Sequence, residues 1–442
     1  MQNTTAPDKP KARMPIIPRG NRVASTHRIF LVLDPRYMSP MTLRQLSVSQ
    51  DPRDPDFVQN PYAFYAAMHR ASPVFFWEEY GMWCAASYDL VNALLRDRRL
   101  GRENRWGAPL NPVEGRDHLA DFDRIESGSL LEREPPAHTR LRTLVNRAFV
   151  SRSVERLRPR ISALANSLID ALPADQPVDL LPAFATPIPL TVICELLGVP
   201  VERGHDLLSW SHAMCEMYVP QRSRETEERA NRASAEFGTF LTAHIEDHRH
   251  NGADDLLSAL IAVRDTGEKL SDAELISTCV LLLNAGHEAT VHQTGNAVKT
   301  ILDLGGDPRR FFATPELAAA AIEEALRFDA PLHMFTRYAY EEIDLGPVTL
   351  RPGQQVALLL GAANRDPSAF EAPHDFRPGR ADQKNVSFGA GLHFCIGAPL
   401  ARLELQQSLS VLFERLPDLK LETPPRYRDS YHFHGLESLV VR

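Results

Sequence analysis

From Ser271 to about Leu304 the chain runs without a proline, and its first residues, Ser271-Asp272-Ala273-Glu274, read as a capping box in which serine and glutamate each satisfy a free amide of a helix start. At roughly 1.5 Å per residue such a helix is about 50 Å long, enough to cross a whole domain. The rest of the chain has to be arranged around it. Apolar helices usually bury themselves without binding anything, and Leu281, Leu282 and Leu283 say no more than that. Ala285-Gly286-His287-Glu288 says more: glycine costs about 1 kcal/mol relative to alanine inside a helix, and close approach of a ligand is a reason to have Gly286 there.

The second constraint is Ser387-Phe388-Gly389-Ala390-Gly391-Leu392-His393-Phe394-Cys395-Ile396-Gly397. Gly389 and Gly391 allow positive φ and leave room for a flat ligand against the main chain. Beyond Gly397 the spacing of Leu400, Leu403, Leu409, Leu412 and Phe413 is helical, with no glycine or proline between Pro399 and Pro417. Cys395 therefore sits at a helix start, where free amides and the positive end of the dipole favour a thiolate, a good iron ligand. Cys84, Cys194, Cys215 and Cys279 read as core cysteines.

The pattern Phe-Gly-x-Gly-x-His-x-Cys-x-Gly resembles the proximal loop of the cytochrome P450 family. The resemblance runs from about residue 55 to the C terminus. It implies that Cys395 is the axial iron ligand of haem b (iron protoporphyrin IX) and that His393 contacts a propionate. It further implies propionate contacts from His138 and Arg142, four apart in Glu134-Pro135-Pro136-Ala137-His138-Thr139-Arg140-Leu141-Arg142, and from Arg337. Phe388, Gly397, Ala285 and Gly286 would lie against the haem. Glu324 and Arg327 are three apart on a helix face; alone the spacing means little, since Glu155 and Arg158 repeat it and such pairs add only about 0.2–0.5 kcal/mol. Their place between the long helix and the cysteine loop, with Arg380 following, matches the family's structural lock on the proximal face.

One position departs from the family. Its oxygen-binding motif sets a threonine after the acid, and here that position is Ala289. Thr290 follows, turned by roughly 100° round the helix. Glu288 remains as an acid able to relay protons, with a substrate hydroxyl or an ordered water in place of the missing side chain.

Of the 442 residues 43% are hydrophobic and 24% charged, ordinary for a globular protein with a sizeable core. The net charge of −8 argues against nucleic acid as partner. Five cysteines at irregular spacings argue against a disulfide framework. The longest apolar run near the N terminus, Ile29 to Leu33, is far short of the roughly 20 residues of a membrane anchor. Residues 1–50 read as a flexible tail, and residues 51–442 as a single domain.

Elsewhere the pattern gives a helix over Pro61–Ala71, a hairpin over Val74–Cys84, a helix capped by Ser87, a charged helix from about Glu225 to His250 and a terminal hairpin over Tyr431–Val441. Arg140 and Arg147 share a face suited to docking an acidic protein. His432, Phe433 and His434 can reach a substrate, but two histidines there are too few to argue for a metal.

The expectation is a mainly helical fold with small β-sheets, holding haem between the long central helix and the cysteine loop. It would be a cytoplasmic, monomeric haem-thiolate monooxygenase of a small, largely hydrophobic substrate. Electrons would come from a ferredoxin, or flavodoxin, and its NAD(P)H-dependent reductase. A peroxide-driven peroxygenase, which has no need of the threonine, and a non-catalytic haem ligand-binding protein are the alternatives.

Overall fold

The computed structural model describes residues 47–105, 116–149, 154–218, 222–263 and 269–442. Eleven helices of eight residues or more lie in them: α1 (Pro61–Ala71), α2 (Tyr88–Arg96), α3 (Ala120–Ser127), α4 (Ala137–Ala148), α5 (Arg158–Asp170), α6 (Pro187–Leu196), α7 (Gly204–Cys215), α8 (Arg224–Asn251), α9 (Asp272–Leu304), α10 (Pro315–Phe328) and α11 (Ala398–Arg415). The strands are β1 (Ser47–Val48), β2 (Val74–Trp77), β3 (Met82–Ala85), β4 (Leu100–Gly101), β5 (Val178–Asp179), β6 (Met334–Ala339), β7 (Ile343–Asp344), β8 (Thr349–Leu350), β9 (Gln355–Leu359) and β10 (Val440–Val441). They form a six-stranded sheet of order β1-β2-β3-β9-β6-β4 and two small pairs, β5-β10 and β7-β8.

Helix α9 is the axis. Ser271 Oγ accepts from the Glu274 amide at 3.3 Å and the Glu274 carboxylate accepts from the Ser271 amide at 2.9 Å, so the capping box forms as read. The helix stops at Gly305, whose φ of 66° is left-handed and suits glycine. Its first half, through Leu275, Cys279, Val280 and Leu283, packs in a core with Leu141 and Leu144 of α4 and Phe237, Leu241 and Ile245 of α8. Its second half, through Val291, Val298 and Ile301, packs in another core with Ile161 of α5, Leu326 of α10 and Leu409 and Phe413 of α11. Between the two cores Ala285 is exposed and its neighbours Asn284 and Gly286 are half-buried.

Several expectations shift. Ser47 and Val48, assigned to the tail, belong to the sheet, where they pair with Phe76 and Trp77; residues 1–46 lie outside the described residues. The terminal hairpin is longer than Tyr431–Val441, with bridges from Leu421 to Val441 and from Tyr427 to Leu436. Prolines 135 and 136 precede α4 rather than opening it. Ser87 takes the N-cap position of α2 without a capping bond, and the Tyr88 amide donates instead to Asp366 Oδ2 at 2.8 Å. Arg140 is held by Glu274 at the start of α9, so it ties two helices together rather than presenting a docking charge.

Candidate active site

The cysteine loop is hung on α10 before it reaches the sulfur. Ser387 Oγ donates to the Leu326 carbonyl at 2.7 Å and accepts from Asn364 Nδ2 at 2.8 Å, while Asn364 Oδ1 takes the Val386 amide at 2.9 Å. The loop then turns back on itself, with the Cys395 amide donating to the Phe388 carbonyl at 3.0 Å. Gly391 has φ 69°, and a Cβ there would lie 2.5 Å from the Leu95 carbonyl oxygen, so both conformation and space require glycine. The Arg402 guanidinium lies over the Phe388 ring, 4.6 Å from its centroid.

Cys395 stands two residues ahead of Gly397, the N-cap of α11, rather than at the first turn itself, and the expected thiolate does not follow from the chain alone. Burial pushes the thiol up, outweighing the Gly397 and Ala398 amides and the Arg142 and Arg402 charges that favour the anion. A bound cation at the sulfur reverses that balance, because it takes the place of the proton. The side chain is half-buried.

Beside the loop is a cluster of basic side chains, two histidines and two arginines. The His138 and His393 rings stand 4.5 Å apart. His393 Nε2 meets Glu134 Oε1 at 2.9 Å, and Glu134 also accepts from the Arg102 amide at 2.8 Å. Both nitrogens of His138 are buried without a partner. Burial, with the His393 and Arg142 charges, pulls His138 down to about 4. Arg337 is 4% exposed, pushed down to about 10 by burial and then by Arg102, and its one side-chain hydrogen bond among the described residues goes to the Thr336 carbonyl at 2.8 Å. Arg142 donates to the Phe394 carbonyl at 2.7 Å, beside the cysteine. Unpartnered buried donors in a basic pocket fit a ligand carrying carboxylates. The donor set thus suits the propionates of a haem whose iron meets Cys395.

On the α9 side, a Cβ at Gly286 would meet nothing closer than Ile193 at 3.6 Å. Protein packing does not demand glycine there. Glu288 is buried, 3.7 Å from His292 Nε2 and 3.8 Å from an Arg428 Nη1. Burial alone would raise its carboxyl, but His292, His212 and Arg428 hold it down to about 2. Thr290 is buried, and its carbonyl accepts from Thr294 Oγ1 at 2.8 Å.

Residues 315–430 match the family model described as Cytochrome P450. The chain is 40% identical over 373 residues to cytochrome P450 107B1 of Saccharopolyspora erythraea, covering 81% of this chain and 89% of that protein. It is 36% identical to the cytochrome P450 monooxygenase PikC of Streptomyces venezuelae, covering 88% and 92%. The chain belongs to the cytochrome P450 family. Among solved structures, P450BioI in complex with hexadec-9Z-enoic acid ligated acyl carrier protein superposes with a TM-score of 0.80 at 34% identity, covering 87% of this chain and 99% of that one. This P450 is a haem-thiolate monooxygenase, and the peroxygenase and carrier alternatives are not favoured.

The Glu324–Arg327–Arg380 cluster of this P450 is buried. Glu324 and Arg327 are 4% and 2% exposed and share two hydrogen bonds of 2.8 Å. Arg380 Nε adds contacts of 3.0 and 3.1 Å to the two Glu324 oxygens, and the Arg377 amide donates to Oε1 at 2.7 Å. Arg327 also donates to the carbonyls of Asn364, Pro373 and Asp375.

Reasoning from sequence missed Glu134, which reaches His393 from far along the chain, Arg102, whose amide holds Glu134, and His292 and Arg428, which set the charge of Glu288. It also missed Glu404. This α11 carboxyl is 2% exposed with Oε2 unpartnered, and burial pushes it up to about 8. A folded value above the unfolded one of about 4.5 means that the folded state holds its proton longer, so stability declines as pH rises through that window. Glu404→Gln should flatten the decline, as read by urea unfolding of the haem-loaded protein between pH 5 and 8.

Proposed function

We propose that this chain holds haem b through Cys395, with His138, Arg142, Arg337 and His393 binding the propionates and Phe388, Gly397, Ala285 and Gly286 lying against the macrocycle. The observation that carries the reading is the basic cluster with unpartnered His138 beside the cysteine loop. When bound, the haem supplies oxygen activation, which thiolate ligation favours by promoting O–O cleavage. Arg337→Ala leaves a propionate without its buried guanidinium, and a charged buried partner of this kind is worth about 1.5–3 kcal/mol. The expected result is haem loss roughly 10- to 100-fold faster to apomyoglobin, a change of about 1.4 kcal/mol per decade.

Glu288 is the proton relay. Its low value makes it a carboxylate at neutral pH, so it accepts protons arriving from solvent and passes them on only after leaving Arg428 and His292. Ala289 offers no hydroxyl, and a substrate hydroxyl or ordered water fills that role. Positioned acid–base groups contribute about 10²–10⁴-fold, so Glu288→Ala should lower product formed per electron consumed by roughly 10-fold or more. Ala289→Thr should raise it for substrates without a hydroxyl. Unchanged coupling in both variants rules the relay out.

Electrons come from a ferredoxin or flavodoxin and its NAD(P)H-dependent reductase, and the protein works as a cytoplasmic monomer. No helix among the described residues is long and apolar enough to cross a membrane. The test is a reconstituted ferredoxin system with NADPH and isotopically heavy O2, using compounds first selected by a shift of the Soret band. Incorporation of one heavy oxygen atom is expected; product formed only with peroxide overturns the reading.

A further inference from the structure

Two groups from one short segment meet a third from the C-terminal hairpin in the core. Asp329 caps the end of α10, His333 precedes β6, and His434 lies in the C-terminal hairpin. They are 3%, 0% and 3% exposed. One ligand atom from each lies within 4.8 Å of the other two.

The hydrogen bonds around them leave lone pairs pointing inward. Tyr65 hydroxyl donates to Tyr431 at 2.9 Å and stands 2.8 Å from His333 Nδ1. With its single proton given to Tyr431, the Tyr65 oxygen accepts from Nδ1–H, so His333 Nε2 carries the bare lone pair. That nitrogen is buried and has no partner. His434 Nε2 is also buried and unpartnered, although Asp329 Oδ1 is 3.2 Å away, because the alignment is not that of a hydrogen bond. The Asp329 oxygens accept from the Tyr62 and Tyr427 hydroxyls, each at 2.6 Å, and a carboxylate has room for more than two such contacts. His434 stacks on Tyr427 with centroids 3.9 Å apart, and the Asn296 amide holds its backbone carbonyl at 2.9 Å. The nearby Arg365 guanidinium is turned to the Phe328 carbonyl at 2.7 Å.

We propose that Asp329, His333 and His434 bind one divalent cation of the zinc class. Two imidazole nitrogens and a carboxylate oxygen are the ligand types such an ion takes, at about 2.0–2.2 Å each, with a fourth position left for water. Ligands at that distance lie up to roughly 4 Å apart, so the cluster closes on an ion with side-chain shifts of under an ångström or so. The tyrosine hydroxyls supply the outer contacts that fix the ring of His333 and the carboxylate of Asp329. The ion staples the tip of the C-terminal hairpin, whose His434 amide donates to the Pro331 carbonyl at 2.9 Å, to the segment that leads into Phe335. It thereby fixes Phe433 and His432 relative to Leu332, which bridges to Phe433.

The probe is zinc ion alone, added to the haem-loaded protein and then removed from solution by gel filtration. Elemental analysis should give about one zinc per iron, and His333→Ala or His434→Gln should lose it. Tyr65→Phe, which leaves the ligands in place, should weaken binding by roughly 10–100-fold. X-ray absorption at the zinc edge of the unsubstituted protein needs no variant and should show imidazole nitrogen and carboxylate oxygen neighbours. Zinc below one tenth per iron, equal zinc in the ligand variants, or an edge spectrum of mostly water oxygens each overturn the proposal.

Discussion

Cys395→Ser should load haem and yet lose the long-wavelength band of the reduced carbon-monoxide complex, with reductase-driven turnover falling by several orders of magnitude. The loop geometry does not depend on sulfur. Its hold on α10 runs through Ser387 and Asn364, and its fold-back uses the residue 395 amide, which serine keeps. The unpartnered His138 and the buried Arg337 are likewise untouched. What changes is the ligand. The thiol is already pushed up by burial, with two backbone amides and two arginines pulling the other way; a hydroxyl in the same place stays protonated and binds iron poorly. Measuring haem by extraction alongside the carbon-monoxide spectrum separates the two effects. A variant that keeps the long-wavelength band would remove Cys395 as the ligand.

The sequence was most legible where function or termination is encoded within a few residues. The capping box at Ser271 and the absence of proline placed α9 to within a residue of its start, and the glycines around Cys395 announced a loop whose crowding at Leu95 is then visible in three dimensions. It was least legible where partners are remote. His393 is held by Glu134, 259 residues away, and the short edge strand at Ser47 exists only because Phe76 and Trp77 offer it a ladder. The end of the chain misled for the same reason: Leu436 and Val441 bridge singly to Tyr427 and Leu421, whose own pattern gives no warning. Spacing was silent on burial. Glu155 with Arg158 and Glu324 with Arg327 are indistinguishable as text, yet the first pair is 65% and 40% exposed and the second 4% and 2%.

That contrast sets the second large effect. Glu324→Gln keeps the shape of the side chain and removes its charge, leaving the Arg327 and Arg380 guanidinium groups facing a neutral amide in the core. Breaking a buried pair in this way costs about 3–5 kcal/mol, against a total stability of about 5–15 kcal/mol. Glu155→Gln, at the same spacing on the surface, should cost less than about 1 kcal/mol. Denaturant midpoints of the two variants check the difference, and equal losses would mean that Glu324 does no more than its surface counterpart. The route of failure should also differ. Arg327 and Arg380 carry the carbonyls of Ala372, Pro373 and Asp375, and Arg327 reaches the Asn364 carbonyl. Asn364 in turn holds Val386 and Ser387 at the head of the cysteine loop. Losing the Glu324 charge therefore loosens the loop before it disturbs the cores around α9. Haem release should precede loss of helical circular dichroism in Glu324→Gln, whereas the two should coincide in Glu155→Gln.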